Sequence, residues 1–476
     1  MASGIADSSR ASDAARAATV VDTAFEKVPV TKILAEFIDD LTYESIDPKV
    51  LEGLKELLLD YIGIGAFAAS TIESSEPFHR AVLAFSANAT GSCTVMTKGQ
   101  QFSPQYAALL NAAYAHTLDF DDTFAAGALH PGAPVMSAAL TQAEISGANG
   151  KALLTAIAAG YEVICRISRA LGAGAYERGF HNTGTAGIFG ATAAIMKIKG
   201  AGSAAIEAAF GLAVSKAAGS TQYLENGAWN KRLHPGFAAH DAFMCAAFVD
   251  QGILTASKPL EGIFGFLKGY SSSPNIDNMV DGLGKEWIHI TTAIKPYPGC
   301  RMTHSAIDLA AKWRKEKSCL IKSLCLSLSP HCWMIVGRPL ENKIHPKNIV
   351  DAQFSAYYQL ATTWLDGNET GWRVYDRIHD SDVSELLDKI TVEASNDLQP
   401  LAARLEIHWE DGTTSVDIER HPIGEPSNPL THEQVLSKFS SLAIPTYGEP
   451  KSKRIIDVVS KLDQVLDTKE LMSALA

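Results

Sequence analysis

The sequence predicts a mostly helical protein: a large helical domain, interrupted by a smaller α+β segment, then resumed. Three observations carry this. Apolar residues recur at helical spacing through most of residues 30–284. Short alternating runs bounded by Pro, Gly and Asp begin after about residue 290. Helical patterns return near residue 431. At 476 residues the chain also exceeds one ordinary core, so two domains are expected.

In chain order, residues 1–28 read as a disordered tail rich in Ser, Ala and Asp. Residues 48–69 form a helix, with Val50, Leu51, Leu54, Leu57, Leu58 and Ile62 on one face and Pro48 in the first turn. An Ala-rich helix follows over 105–117, then Ala- and Gly-rich helices over 134–146, 150–172, 185–199 and 201–218, each ending near a Gly, and another over 234–252. Strands are expected at 320–328 and 389–394, and a hairpin at 404–409 and 414–419 around Glu410-Asp411-Gly412. Helices at 302–315 and 350–366 lie among them. Two amphipathic helices, 431–442 and 453–475, close the chain. Ile455, Ile456, Val459, Leu462, Val465 and Leu466 make the apolar face of the second. The expected plan is a tail (1–28), a main helical part (29–290), an α+β domain (291–424) and C-terminal helices (425–476) that pack back on the first. No fixed-period repeat is present, which disfavours a solenoid.

Apolar residues make up 46% and charged residues 20%, a globular balance. A net charge of −12 disfavours nucleic acid, whose phosphates need a clustered cationic face. An anionic ligand would need local cations, so clusters of Lys, Arg and His gain weight. No run of 18 apolar residues suggests a membrane span. Seven irregularly spaced cysteines without CxxC support neither a zinc site nor an iron–sulfur cluster, and predict reduced thiols inside the cell. Cytoplasm is the expected compartment and the mitochondrion the alternative. Arg10 and Arg16 suit a transit peptide, but Asp7, Asp13 and Asp22 argue against one.

Four segments could carry chemistry. His116-Thr-Leu-Asp119-Phe-Asp121-Asp122-Thr123 crowds three carboxylates and is followed by small residues up to His130-Pro-Gly. Taken alone it reads as a solvated turn, but an imidazole beside a helix start also suits a bound anion. Phe180-His181-Asn-Thr-Gly184-Thr-Ala-Gly187 places a second His before a helix whose glycines allow close packing. Lys231-Arg232-Leu-His234-Pro-Gly is a basic cluster at another helix start, an anion clamp in an acidic chain. Lys295-Pro-Tyr-Pro-Gly-Cys300-Arg301-Met-Thr-His304 lies at the junction of the two segments, where ligand sites are frequent. Cys300 reads as a packed thiol there.

Together with Asp351-Ala-Gln-Phe-Ser355, these segments resemble the MmgE/PrpD family, which includes 2-methylcitrate dehydratase and cis-aconitate decarboxylase; the resemblance runs from about residue 30 to the end. It implies a helical domain made of N- and C-terminal parts, an inserted α+β lid, a homodimer, and no metal or organic cofactor. It also implies a site between helical domain and lid, lined at Asp119, Thr123, His130, His181, Lys231 and Lys295. Cys300 stands where the vertebrate decarboxylase has His, as in dehydratase-like members. Ile335 precedes Gly337-Arg338-Pro339 where that enzyme has Tyr, and the loop from Thr123 to His130 is one residue longer, as in the fungal decarboxylase.

The expected function is a cofactor-independent hydro-lyase for a citrate-like tricarboxylic acid, 2-methylcitrate or a longer 2-alkylcitrate. Asp119, Thr123, His130 and His181 are the expected catalytic residues, with His130 or His181 as the base and Asp119 orienting it or sharing a proton. Lys231, Arg232, His234, Lys295, Cys300, Arg301 and His304 would bind the small polycarboxylate. Decarboxylation of cis-aconitate to itaconate uses the same parts and is the first alternative. An isomerase or epimerase of an acidic substrate is the second, and a non-catalytic helical partner protein is the reading from another class.

Overall fold

The structure is a computed structural model that describes residues 28–85, 91–172, 174–316 and 320–476. The expected tail lies outside these residues except for Val28, as does Cys319. Helix makes up 61% and strand 8%, so the mostly helical class holds.

Helix α1 (Val30–Asp40) opens the described chain and α2 (Pro48–Thr71) follows. Asp47 caps α2 by accepting from Lys49 N at 2.8 Å, and Pro48 fits the first turn because its missing N–H would be unpaired there. α3 (Ser75–Phe85) leads to a two-stranded antiparallel ribbon, β1 (Cys93–Thr94) and β2 (Gln101–Phe102), which the sequence patterns do not signal. Then come α4 (Pro104–Thr117), α5 (Gly132–Ser146), α6 (Gly150–Leu171), α7 (Gly187–Ile198), α8 (Ser203–Ala213) and α9 (Asn230–Asp250). α6 and α7 cross at Gly160 and Gly190, where a Cβ on either would lie 2.9 Å from the other's carbonyl oxygen. The glycines therefore set this helix–helix distance.

The second unit begins with α10 (His304–Glu316). Its sheet runs in the order β4 (Ile390–Ala394), β3 (Ile321–Leu328), β5 (Ala403–Trp409), β6 (Thr414–Glu419). β3 is parallel to β4 and antiparallel to β5; β5 and β6 form the expected hairpin, with His408 opposite Thr414 and Gly412 at φ +81°. α11 (Ala356–Asp366) covers the sheet. The helix expected over 350–366 is broken: Ser355 ends one turn (Ile349–Gln353) and caps the next by accepting from Tyr358 N at 3.0 Å.

The chain returns through α12 (His432–Tyr447), α13 (Glu449–Ser460) and α14 (Lys469–Leu475). Phe439, Ile455, Val459 and Leu471 share one core with α1, α2 and α4 to α9, while Leu324, Leu326, Leu405 and Trp409 belong to a separate core; Phe78 and Val82 of α3 belong to a smaller third cluster. The expected helix over 453–475 is also broken, and Leu466 is 88% exposed instead of packed. Between its pieces, Val465 O accepts from Gly150 N and Thr468 N donates to Ala148 O, at 2.8 and 2.9 Å. The backbone there pairs with the α5–α6 connection and not with its own helix. No single helix among the described residues is long and apolar enough to cross a membrane.

Candidate active site

A cavity of about 400 Å³ lies between the two cores, a volume typical of small-molecule sites. The helical core contributes Asp119, Thr123, His130, His181 and Lys231; the junction before α10 contributes Cys300 and Met302, and the α+β unit Cys332, Phe354 and Leu401.

Asp119 sits just past α4 at φ +49°, a left-handed conformation that Asp tolerates better than most residues. The turn is pinned from outside. Lys295 Nζ donates to Asp119 O and Oδ1, both at 2.8 Å, and Gly299 N donates to the same carbonyl at 3.0 Å. Lys231 Nζ lies 2.9 Å from Asp119 Oδ1. Burial opposes charge on Asp119, but Lys231 and Lys295 hold its carboxyl well below the usual carboxylate range. Two buried polar atoms on this wall, Asp119 Oδ2 and Thr123 Oγ1, have no hydrogen-bond partner among the described residues, and Lys231 Nζ makes its ion pair with Asp119 without a well-aligned hydrogen bond. Such groups cost stability unless a ligand or water pairs them.

His130 is oriented from behind. Its Nδ1 lies 2.9 Å from Asp122 O and 3.2 Å from Asp121 Oδ1. Both are acceptors, so Nδ1 carries the proton in the neutral ring and Nε2 presents its lone pair, 3.8 Å from Asp119 Oδ1. His181 Nδ1 meets His234 Nδ1 at 2.8 Å. Burial, then His234 beside it, hold His181 well below its ordinary range, so it is neutral. His116 completes the group: its ring lies 4.8 Å from that of His130 and 5.6 Å from that of His181. Its Nδ1 contacts Asp121 Oδ2 at 2.7 Å, and burial, partly offset by Asp121, pushes it down to about 3.

Asp122 faces away from the cavity. It accepts from Gly132 N, the first amide of α5, and from Tyr161 Oη, at 3.0 and 2.7 Å. Burial and the charge of Asp121 raise it to about 7. Among the described residues, His116, Asp121 and His130 are the His/Asp group that gathers metal-type ligand atoms, within 4.8 Å of one another. Hydrogen bonding between His116 and Asp121 accounts for the shortest of those separations.

Several expected substrate-binding groups are placed elsewhere. Lys231 and Arg232 are adjacent on α9, so they point about 100° apart. Lys231 reaches the cavity; Arg232 turns to Glu73 and Ser74, at 3.0 and 2.8 Å. His234, one turn after Lys231, supports His181 from behind and does not line the cavity. Lys295 lies beneath Asp119, outside the lining. Arg301 touches the cavity wall, but its guanidinium holds Glu425, Ile423 O and Pro422 O, and His304 Nδ1 accepts from it at 2.7 Å. That contact takes His304 Nδ1; His304 Nε2 is buried without a hydrogen-bond partner among the described residues, and His304 does not line the cavity. Cys300 does line the cavity, and burial raises its thiol to about 11. Ile335 packs against the core of the α+β unit and is not part of the lining.

Sequence reasoning missed Tyr176, Tyr223, His331, Phe354 and Leu401 as lining, and His116 as the third imidazole. His116 was legible in the acidic segment, and Phe354 lies in the Asp351–Ser355 segment; Tyr176 and Tyr223 carry no local signal because they converge from distant parts of the chain.

Fold and site define a class: a mostly helical chain with an α+β unit over a buried His–Asp–Lys cavity. The chain belongs to the MmgE/PrpD family; the N-terminal domain of that family matches residues 32–279 and the C-terminal domain residues 297–464. Its curated relatives are enzymes. It is 27% identical to the cis-aconitate decarboxylase of Aspergillus terreus (strain NIH 2624 / FGSC A1156), over 94% of this chain and 96% of that one. It is 28% identical to the cis-aconitate decarboxylase of Mus musculus, over 92% and 91%. A cis-aconitate decarboxylase-like protein, oryM, of Aspergillus oryzae is 26% identical over 94% and 97%.

Proposed function

We propose that this chain is a lyase that dehydrates a citrate-type tricarboxylic acid bearing an apolar arm, such as 2-methylcitrate or a longer 2-alkylcitrate. The observation that carries the reading is that the Lys231 ammonium and His130 Nε2 meet at Asp119 Oδ1 in the cavity wall, at 2.9 and 3.8 Å. Lys231 binds the carboxylate next to the carbon that loses its proton, and stabilises the enediolate-like charge. His130 Nε2 takes the proton, helped by Asp121 and the Asp122 carbonyl behind it. The C–H electrons form the C=C bond, the C–O bond breaks, and the hydroxyl leaves as water with a proton from His181. That step uses the tautomer in which His234 donates to His181 Nδ1, so that His181 Nε2 carries hydrogen. Thr123 Oγ1 is placed to hold a second carboxylate. Ala125, Leu129, Met302, Phe354 and Leu401 suit the apolar arm.

The names of the relatives favour a second reading, decarboxylation of cis-aconitate, with a histidine protonating carbon as CO2 leaves. Incubating purified protein separately with 2-methylcitrate, a longer 2-alkylcitrate and cis-aconitate, with products read by mass spectrometry, separates the two. Loss of water supports dehydration. Loss of CO2 from cis-aconitate without any dehydration replaces the first reading by the second. In D2O, deuterium uptake into an acid recovered at otherwise unchanged mass, with neither water nor CO2 lost, would instead support the epimerase.

The homodimer remains a proposal. Phe237, Met244 and Phe248, exposed at helical spacing on α9, support it as an apolar face. Sedimentation of a single 50.9 kDa species would refute it.

A further inference from the structure

We propose that Lys438, on the returning helix α12, is a positioning residue that sets the aim of Asp119 and Asp121 by anchoring the peptide between Phe120 and Asp121. Its Nζ donates to Phe120 O at 2.8 Å and lies 3.8 Å above the Phe120 ring. Asp60 Oδ1, on α2, is 2.6 Å away. Lys438 and Asp60 are 8% and 2% exposed, and neither lines the cavity.

The anchored carbonyl belongs to a series. Leu118 O accepts from Gln353 Nε2, Asp119 O from Lys295 Nζ and Phe120 O from Lys438 Nζ, each at 2.8 Å. Three consecutive carbonyls are thus held by three distant segments: the α+β unit, the junction and the C-terminal helices. The turn needs this because Asp119 is left-handed. The two acids around Phe120 must also diverge. Asp119 faces the cavity, while Asp121 reaches back to His116 and His130. A flip of the Phe120–Asp121 peptide would swing Asp121 off His130 and undo the orientation of the base. A buried ion pair is weak evidence for stability in itself, since an apolar pair often replaces one without loss. The donor to Phe120 O is what an apolar pair would lack.

The turnover arm of the test rests on the function proposed above; the exchange arm does not. Lys438→Met, Lys438→Arg and the double variant Asp60→Asn/Lys438→Met are compared with wild type, the double variant leaving no unpaired buried carboxylate. In the folded double variant kcat falls about 100-fold with KM within about twofold, the scale of a small misplacement at a reacting group. Lys438→Arg regains most of it. Without substrate, hydrogen exchange of a peptide covering residues 118–123 rises in the double variant while α6 and α7 stay protected. Wild-type kcat, or a loss matched by the unfolded fraction, overturns the proposal. If wild type turns over none of the acids, unchanged exchange at residues 118–123 overturns it equally.

Discussion

Lys295 Nζ binds both the carbonyl and the carboxylate of Asp119, at 2.8 Å each, across 176 residues of sequence. One ammonium thereby fixes the backbone and the charge of the same residue. Lys295→Met leaves Asp119 buried with Lys231 as its remaining ion-pair partner. Breaking such a pair costs about 3–5 kcal/mol, and turnover falls with it. Denaturant unfolding and kcat check this. Adding Asp119→Asn recovers stability but not activity; recovery of both would show that Asp119 only fills space.

His130→Ala removes the base while its supports remain. Turnover falls by about 10²–10⁴-fold, and the circular dichroism spectrum and melting temperature stay near wild type. Unchanged turnover removes His130 from the chemistry.

The buried imidazoles make the protein sensitive to acid. Burial pushes His116 down to about 3 and His234 to about 4, and holds His181 and His304 well below the ordinary value of 6.5. Unfolding frees these four to bind protons below about pH 6.5, so stability is lost as pH falls from there toward 4. Asp60, raised by burial to about 6, and Asp122, raised to about 7, work the other way, since both give up stability as pH rises through their folded values. Burial also raises Glu144 and Asp308 and lowers His79 and His331, so six imidazoles outweigh four carboxyls and the melting temperature drops between pH 6.5 and 4. A flat or rising profile contradicts the neutral histidine cluster.

Gly132 leaves no room for a side chain. A Cβ there would lie 2.7 Å from both Asp122 Oδ1 and Tyr161 Oη. Gly132→Ala forces the cap of α5 aside and costs about 1–3 kcal/mol. Melting curves measure the loss, and kcat falls as well because Asp122 O orients His130.

Cys300 faces the cavity with its thiol raised to about 11. Little of it is thiolate at pH 8, so iodoacetamide modifies Cys300 far more slowly than a free thiol. Rapid labelling of Cys300, read by peptide mass spectrometry, contradicts the buried assignment.

The helices, the four strands of the α+β unit and the anion-suited segments were legible because each depends on local pattern: apolar spacing, a Glu-Asp-Gly turn, a His or Lys before a helix of small residues; the order of the strands in one sheet was not. Asp119, Thr123, His130, His181 and Lys231 were all named from such segments, and the tertiary structure brings them to one wall. What local pattern could not settle is direction. Lys231 and Arg232 look equivalent in sequence, yet helical rotation sends one to the cavity and the other to Glu73. Arg301 and Lys295 read as ligand clamps, but distant partners, Glu425 and Asp119, hold them. The breaks at Ser355 and near Val465 follow from a side-chain cap and from backbone pairing with the α5–α6 connection. Sequence by itself determined which chemical groups this protein carries and on which elements. Only the tertiary structure decided which of them keep a free valence at the cavity, because hydrogen bonds and ion pairs from far along the chain saturate the rest.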